Sequence, residues 1–257
     1  MLASLRQRAS EVGEARRRRQ ELIEEAWATG KPRVDGVLCE DWVRRVELLG
    51  DDLFVGTASR GVLRYRLGDK APRQTLGVEG NPGVFVKADH QAGQDPETSV
   101  TSLCYDGRWL AAGLAGGRVH VWGADGALVL DARLPRPAPC YVALVDGSVV
   151  AASGEALRRY PVRGAAGEPE ASVELPCRAH CLAEAGEELA VGLADGTLAR
   201  FGRADLARVG QHRVHQGAVS AACGVEGGFV SGDETGELAR WRVEGDSWRC
   251  AWRETAG

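Results

Sequence analysis

The chain has no apolar run approaching the roughly 20 residues that a membrane-spanning helix needs. It has no excess of basic residues either. Thirty-two Lys and Arg against 36 Asp and Glu leave a formal net charge of −4, which disfavours general nucleic-acid binding because nothing global attracts a phosphate backbone. Cysteine is sparse and odd in number, seven in 257 residues. A disulfide framework is expected to be short, cysteine-dense and even in count. These seven sit mostly in apolar stretches and read as reduced core thiols, which points to a cytoplasmic or nuclear protein. The N-terminus lacks the apolar core of a signal peptide, and Glu11, Glu14, Glu21, Glu24 and Glu25 do not suit an acid-poor transit peptide. Gly-x-Ser-x-Gly, a phosphate loop and His-Glu-x-x-His are all missing. No enzyme class gains support, nothing calls for a cofactor or metal, and the expectation is a protein that is not an enzyme.

What is abundant is glycine: 34 of 257 residues, about 13%, close to double the usual share of roughly 7%. The glycines are not spread evenly. Residues 1–30 form a separate zone, rich in Ala, Leu, Arg, Glu and Gln and free of proline. Leu2, Leu5, Ala9 and Val12 recur at helical spacing, as do Leu22, Ile23, Ala26 and Trp27. Gly30 followed by Pro32 stops the pattern. An amphipathic N-terminal α-helix is expected over 1–30. The run from Arg16 to Arg19 is flanked by acids and reads as a solvated helix face rather than an import signal.

From about residue 33 short apolar runs alternate with Gly, Asp, Asn and Pro turns every 8–12 residues, the rhythm of an all-β fold. Asp-Gly pairs at 35–36, 106–107, 125–126, 146–147 and 195–196 read as tight hairpins with positive φ at both central residues. Five segments, 54–65, 111–122, 149–160, 190–201 and 230–241, share one frame: a strand of small residues, a turn, and a strand ending in an aromatic. The aromatics Tyr65, Trp122, Tyr160, Phe201 and Trp241 lie 57, 38, 41 and 40 residues apart, near the roughly 40-residue period of a four-stranded propeller blade. Inner strands are expected at 42–49, 100–105, 140–145, 179–183 and 219–224. Outer strands are expected at 74–78, 127–134, 171–175, 206–211 and 248–253. The blades then run about 42–79, 98–135, 138–176, 177–212 and 215–257, with a long connection at 68–99. The fold class is all-β, a β-propeller of about five four-stranded blades within 31–257, expected to close as a ring with help from residues 34–38.

These residues resemble the WD-repeat β-propeller family. The turn from Asp195 and Gly196 into a strand ending at Phe201 looks like that family's turn into its aromatic-terminated strand. Trp122 and Trp241 match its tryptophan, and His215 four residues before Val219 looks like its histidine-to-valine lead-in to an inner strand. In the last repeat Thr235 stands where the family has an aspartate of its His, Ser or Thr, Asp and Trp network. The resemblance covers about 42–257. It implies a non-catalytic scaffold or adaptor that binds a protein or peptide on its top face, where Asp41, Trp42, Arg60, Arg136, His180, His215 and Asp233 are placed. It also implies that the N-terminal helix either docks on the ring or recruits a second protein.

The residues also admit three other readings. Cys177, Cys181, His212 and His215 have zinc-ligand types, but four residues of extended strand put the two thiols about 13 Å apart. Paired carboxylates, with Glu47 and Glu184 the inner-strand candidates, would make a five-bladed glycosidase, the alternative reading alongside a glycan-binding lectin. The connection at 68–99 is long enough to be a contact arm.

Overall fold

The computed structural model describes residues 39, 41–77, 96–163, 167–244 and 247–255. The expected N-terminal helix, the closing segment 34–38 and the middle of the long connection fall outside them. Twenty strands form five four-stranded antiparallel sheets, and each sheet is a meander of consecutive strands with no crossover. Blade 1 holds β1 (Val43–Leu49), β2 (Asp52–Thr57), β3 (Val62–Arg66) and β4 (Gln74–Leu76). Blade 2 holds β5 (Val100–Tyr105), β6 (Trp109–Leu114), β7 (Arg118–Gly123) and β8 (Leu128–Arg133). Blade 3 holds β9 (Cys140–Val145), β10 (Ser148–Ser153), β11 (Ala156–Pro161) and β12 (Ala171–Glu174). Blade 4 holds β13 (Ala179–Ala185), β14 (Glu188–Leu193), β15 (Thr197–Gly202) and β16 (Arg208–Arg213). Blade 5 holds β17 (Val219–Val225), β18 (Gly228–Asp233), β19 (Glu237–Glu244) and β20 (Ser247–Thr255).

The hairpins are built by two devices. At 146–147 both φ angles are positive, 47° at Asp146 and 80° at Gly147, the geometry a two-residue Asp-Gly hairpin demands. The other described Asp-Gly pairs depart from that expectation: only their glycine is left-handed. Their aspartates instead accept backbone N–H groups just downstream: Asp106 from Arg108 and Trp109, Asp125 from Ala127, and Asp195 from Thr197. A short carboxylate can replace the backbone acceptor of a turn, so one dipeptide serves two turn types.

The core lies between the blades. Phe54, Val62 and Leu76 of blade 1 pack against Val100, Leu110 and Trp122 of blade 2. Val150, Leu157 and Leu175 of blade 3 meet Leu189, Val191 and Phe201 of blade 4. Ala190 and Leu198 of blade 4 meet Val219, Phe229 and Trp241 of blade 5. Each fully buried Val, Leu or Phe contributes about 1.5–3 kcal/mol, so these interfaces carry most of the stability. Polar links add register: Thr101 Oγ1 of β5 donates to Cys140 O of β9 at 2.6 Å, and Ser102 Oγ accepts from Val142 N at 2.9 Å.

The same repeat positions show that the ring does not close among the described residues. The first residue of the inner strand is sealed by the blade before: Val100, Cys140, Ala179 and Val219 are at most 1% exposed. Their counterpart in blade 1, Val43, is 51% exposed. The residue three before the aromatic is sealed by the blade after: Val62, Val119, Leu157 and Leu198 are 0% exposed, whereas Leu238 of blade 5 is 45% exposed. Inner strands pack in sequence from β1 to β5, β9, β13 and β17, and no comparable packing joins β17 to β1. The expected closure is not made among the described residues, whose five sheets form an open arc, and the segment 34–38 expected to help it lies outside them.

Glycines report the same asymmetry. A Cβ on Gly56 would lie 2.6 Å from the Val100 side chain, and one on Gly192 would lie 2.7 Å from Val219 O and overlap Cys181 Sγ. A Cβ on Gly113 would overlap Cys140 O. At the matching Gly232 the neighbours are its own blade's, Leu238 Cδ2 at 2.9 Å and Glu237 O at 3.7 Å. Gly113→Ala and Gly192→Ala are expected to cost about 1–3 kcal/mol by overpacking in urea unfolding, and Gly232→Ala well under 1 kcal/mol. Equal losses at all three positions would contradict an open end.

His120 of β7 is buried and neither ring nitrogen has a hydrogen-bond partner among the described residues. Its nearest acid, Asp131 at 3.4 Å, is engaged by Arg118. Burial pushes the imidazole below its usual value, partly offset by Asp131. Because the unfolded chain then binds the proton more readily, His120 destabilises the fold as pH falls below about 6.5. Denaturation at pH 7.5 and 5.5 is expected to show a loss of stability that shrinks in His120→Leu; an unchanged loss would reject this account.

Candidate functional site

The turns that lead into the inner strands and those joining second to third strands gather at one end of the arc, the top face. Asp41 organises its blade 1 part. Its Oδ2 accepts from Ser59 N, Ser59 Oγ and Arg60 N at 2.8–3.1 Å, and Oδ1 accepts from Trp42 N. Burial raises its carboxyl pKa, but these hydrogen bonds outweigh that and hold it below the usual carboxylate range. Asp41, Trp42 and Arg60 thus form one cluster, with the Trp42 ring 58% exposed. Arg136 is exposed and pairs with Glu155 at 2.5 Å. His180 is half-buried, and burial followed by the neighbouring Arg178 holds its imidazole below the usual value.

His215 and Asp233 have a different setting: both are buried. Trp241 Nε1 donates to Ser231 Oγ at 3.0 Å, and Ser231 Oγ lies 2.7 Å from His215 Nε2. His215 Nδ1 lies 2.8 Å from Glu237 Oε1 and 4.0 Å from Asp233 Oδ2. With Ser231 Oγ accepting from the indole and donating its hydrogen to Nε2, the His215 Nδ1–H donates to Glu237 Oε1. Arg253 completes the chain, reaching Glu237 at 3.2 Å, Val214 O at 2.9 Å and the Trp241 ring at 5.6 Å. Asp233 Oδ1 closes the neighbouring turn by accepting from Thr235 N, Thr235 Oγ1 and Glu237 N, and Gly217 N donates to Oδ2. The His–Ser–Trp network is therefore assembled in blade 5, with Glu237 on the histidine and Thr235 held by Asp233. Ser231 and Glu237 were missed from sequence. Their signal was a serine in the small-residue strand ten residues before Trp241, with an acid four before it.

The other sequence candidates separate. Cys181 Sγ faces Val219 O, Cys177 lies beside Asp195, and His212 stacks on Trp248. They do not converge with His215. Glu47 and Glu184 both line a cavity of about 350 Å³ beside Cys104, Tyr105 and Asp106 at the inner strands. Burial raises the Glu184 carboxyl pKa, against the lowering effect of Arg203.

A second surface was not anticipated: the bare trailing face of blade 5. On it lie Leu238, Trp252 (40% exposed), Arg240, Arg242 and Arg249. In three other blades the third-strand arginine before the aromatic has a carboxylate of its own sheet: Arg64 with Asp52 at 3.0 Å, Arg159 with Glu170 at 2.6 Å, and Arg200 with Glu188 at 2.5 Å. Gly228 stands where blades 1 and 4 have Asp52 and Glu188. Arg240 Nε is buried without a partner, and none of Arg240, Arg242 and Arg249 is paired with an acid among the described residues. Arg242 and Arg249 face each other directly across β19 and β20, where like charges repel.

No protein-family model matches the chain, and no curated protein matches it. Solved structures do. The β-propeller domain of Myceliophteria thermophila Cps50 (Swd1) superposes with a TM-score of 0.67 at 14% identity, covering 88% of this chain and 75% of that domain. A chain of a mitotic checkpoint complex gives 0.68 at 14% identity over 86% of this chain and 67% of its own. The computationally designed Ika8 protein gives 0.52 at 14% identity over 82% and 74%. These likenesses show the propeller fold.

Ser231→Ala would strand both the Trp241 indole N–H and His215 Nε2. The expected loss is about 1–3 kcal/mol, seen as a fall in melting temperature of about 2–4 °C per kcal/mol. His215→Ala combined with Ser231→Ala should cost less than the two single losses added, since the network acts as a unit. Strict additivity would count against it.

Proposed function

We propose that this chain is a WD-repeat-type propeller arc that acts as a non-catalytic protein-interaction scaffold. The observation that carries this reading is the trailing face of blade 5. Leu238 and Trp252 present apolar surface, and around them stand three arginines with no acid partner among the described residues. Tryptophan and arginine are the residues most enriched among binding hot spots. An apolar centre with a cationic rim fits a polypeptide whose apolar side chains are flanked by carboxylates. It fits a phosphate backbone poorly, since phosphates gain nothing from Leu238. The propeller-bearing neighbours include a chain of a mitotic checkpoint complex, which supports a place in protein assemblies.

The top face supplies a second set of contacts in this reading. In this reading a partner touches Trp42, Arg60, Arg136 and His180 there, while His215 and Asp233 hold the turns that carry the face. No helix among the described residues is long and apolar enough to cross a membrane.

The test compares affinity capture by the full chain with capture by Leu238→Ser plus Trp252→Ser and by Trp42→Ala plus Arg60→Glu. A partner held through the open blade is lost from the first variant and retained by the second. The exposed positions of the first pair mean that its melting temperature should stay within about 2 °C of the parent. A partner retained by the Leu238 and Trp252 variant would sink the open-blade surface, and loss only in the Trp42 and Arg60 variant would move the site to the top face.

A further inference from the structure

The third-strand arginine before the aromatic does two things in the built interfaces. It meets an acid of its own sheet, and it reaches the next blade. Arg64 Nη1 donates to Ala124 O of blade 2 at 2.8 Å, and Arg159 Nη1 donates to Ala204 O of blade 4 at 2.6 Å. The Arg200 guanidinium lies 5.3 Å from the centre of the Trp248 ring of blade 5. Arg240 is the same repeat position in blade 5, and among the described residues it has neither contact. Its Nε is buried without a partner. Its own second strand cannot supply the acid: Gly228 holds the position of Asp52 and Glu188, and a Cβ there would overlap Trp241 O. Glu254, the acid opposite Leu238, pairs with none of the three arginines of this face. Arg242 and Arg249 add a second unmet charge. With Cys250 and Ala251 they line a cavity of about 170 Å³ beside the register shift of β19 and β20.

Spacing along β19 says what fits. Leu238, Arg240 and Arg242 are alternate residues of one strand, so they share a face at intervals of about 6.7 Å. We infer that this face takes an extended acidic segment of another protein, with an apolar side chain on Leu238 and carboxylates two and four residues further on. The first carboxylate meets Arg240 and takes the place of Asp52 or Glu188, since a carboxylate matches the guanidinium fork. The second sits between Arg242 and Arg249 and removes their repulsion. The segment is extended because Arg240 then finds a free backbone carbonyl, as Arg64 and Arg159 do; a helix keeps its carbonyls for its own N–H groups. Glu254 stands at the Leu238 end and repels a carboxylate there, which fixes the order. The inference rests on blade 5 being the binding surface, and it adds the partner's pattern: apolar and acidic side chains at alternate positions.

Fluorescence anisotropy of the full chain with two labelled peptides tests this. One contains Leu-Thr-Glu-Thr-Glu and the other Leu-Thr-Thr-Glu-Glu. Composition and charge are equal, but in the second only one glutamate shares a face with the leucine. The first is expected to bind about tenfold more tightly. Arg242→Gln plus Arg249→Gln, both at exposed positions, should abolish that preference without lowering the melting temperature. Equal affinity for the two peptides, no binding of either, or a preference that survives in the variant would overturn the inference. So would tighter binding of a single-stranded oligonucleotide, or a dimer of the intact chain that the two substitutions dissociate. The open-blade surface itself still stands in the first three cases if the Leu238→Ser plus Trp252→Ser variant loses its captured partner, so the two readings fail separately.

Discussion

Everything in this fold depends on one repeated contact, the seating of each blade's first inner-strand residue and its aromatic on the sheet before it. A four-stranded sheet with two apolar faces has no stable existence alone. Blades 2 to 4 bury apolar side chains on both faces, and each buried side chain requires a neighbour. The glycines of the second strand exist to let that neighbour approach: at Gly56, Gly113 and Gly192 the next blade's strand comes too close for any side chain. The contact is made four times. Where it is not made, at Val43 and Leu238, the molecule presents the same residues to solvent.

The polar features follow from the same geometry. Arginines that lie in the crowded space between sheets are tolerated because a carboxylate of the same sheet meets them, as in Arg64 with Asp52 and Arg200 with Glu188. A buried cation without such a partner is costly, so the absence of an acid opposite Arg240 is tolerable only at a face that water can reach or that another protein supplies. The His215, Ser231 and Trp241 network works in the opposite sense. His215, Ser231 and Trp241 are joined by hydrogen bonds, and Arg253 ties the last described strand into them, so blade 5 has a linked interior behind a bare exterior.

Much of this was legible in the residues. The aromatic-terminated frame located the second and third strands of every blade, and the spacing of the turns placed the inner and outer ones. The fully buried Tyr65, Tyr160 and Phe201 had been marked by their repeat position alone. Asp-Gly pairs marked hairpins correctly but not their type, because the same two residues serve either through left-handed φ at both positions or through the aspartate's acceptor oxygen. Closure was not legible. It depends on the sum of several inter-sheet angles, each set by the volumes of many side chains, and no local pattern encodes that sum. The His215 network was half legible: histidine and tryptophan stood out, whereas Ser231 looked like one more small strand residue and Glu237 like turn polarity. The bare arginines needed a comparison across repeats, Gly228 against Asp52 and Glu188, that becomes compelling only once the strands are in register.

The meander connectivity has a kinetic and evolutionary consequence. Each sheet is completed by its own four consecutive strands, so no strand from one end of the chain is woven into a sheet at the other. Stability then approximates a sum of sheet terms and nearest-neighbour terms, as in a one-dimensional lattice. Such an array can nucleate at any interior interface and grow outward, and its contacts stay short in sequence, which favours rapid folding. Damage at a terminal sheet frays that sheet and stops at the next interface. A gene encoding such an array can gain or lose a forty-residue unit at either end without rethreading the rest.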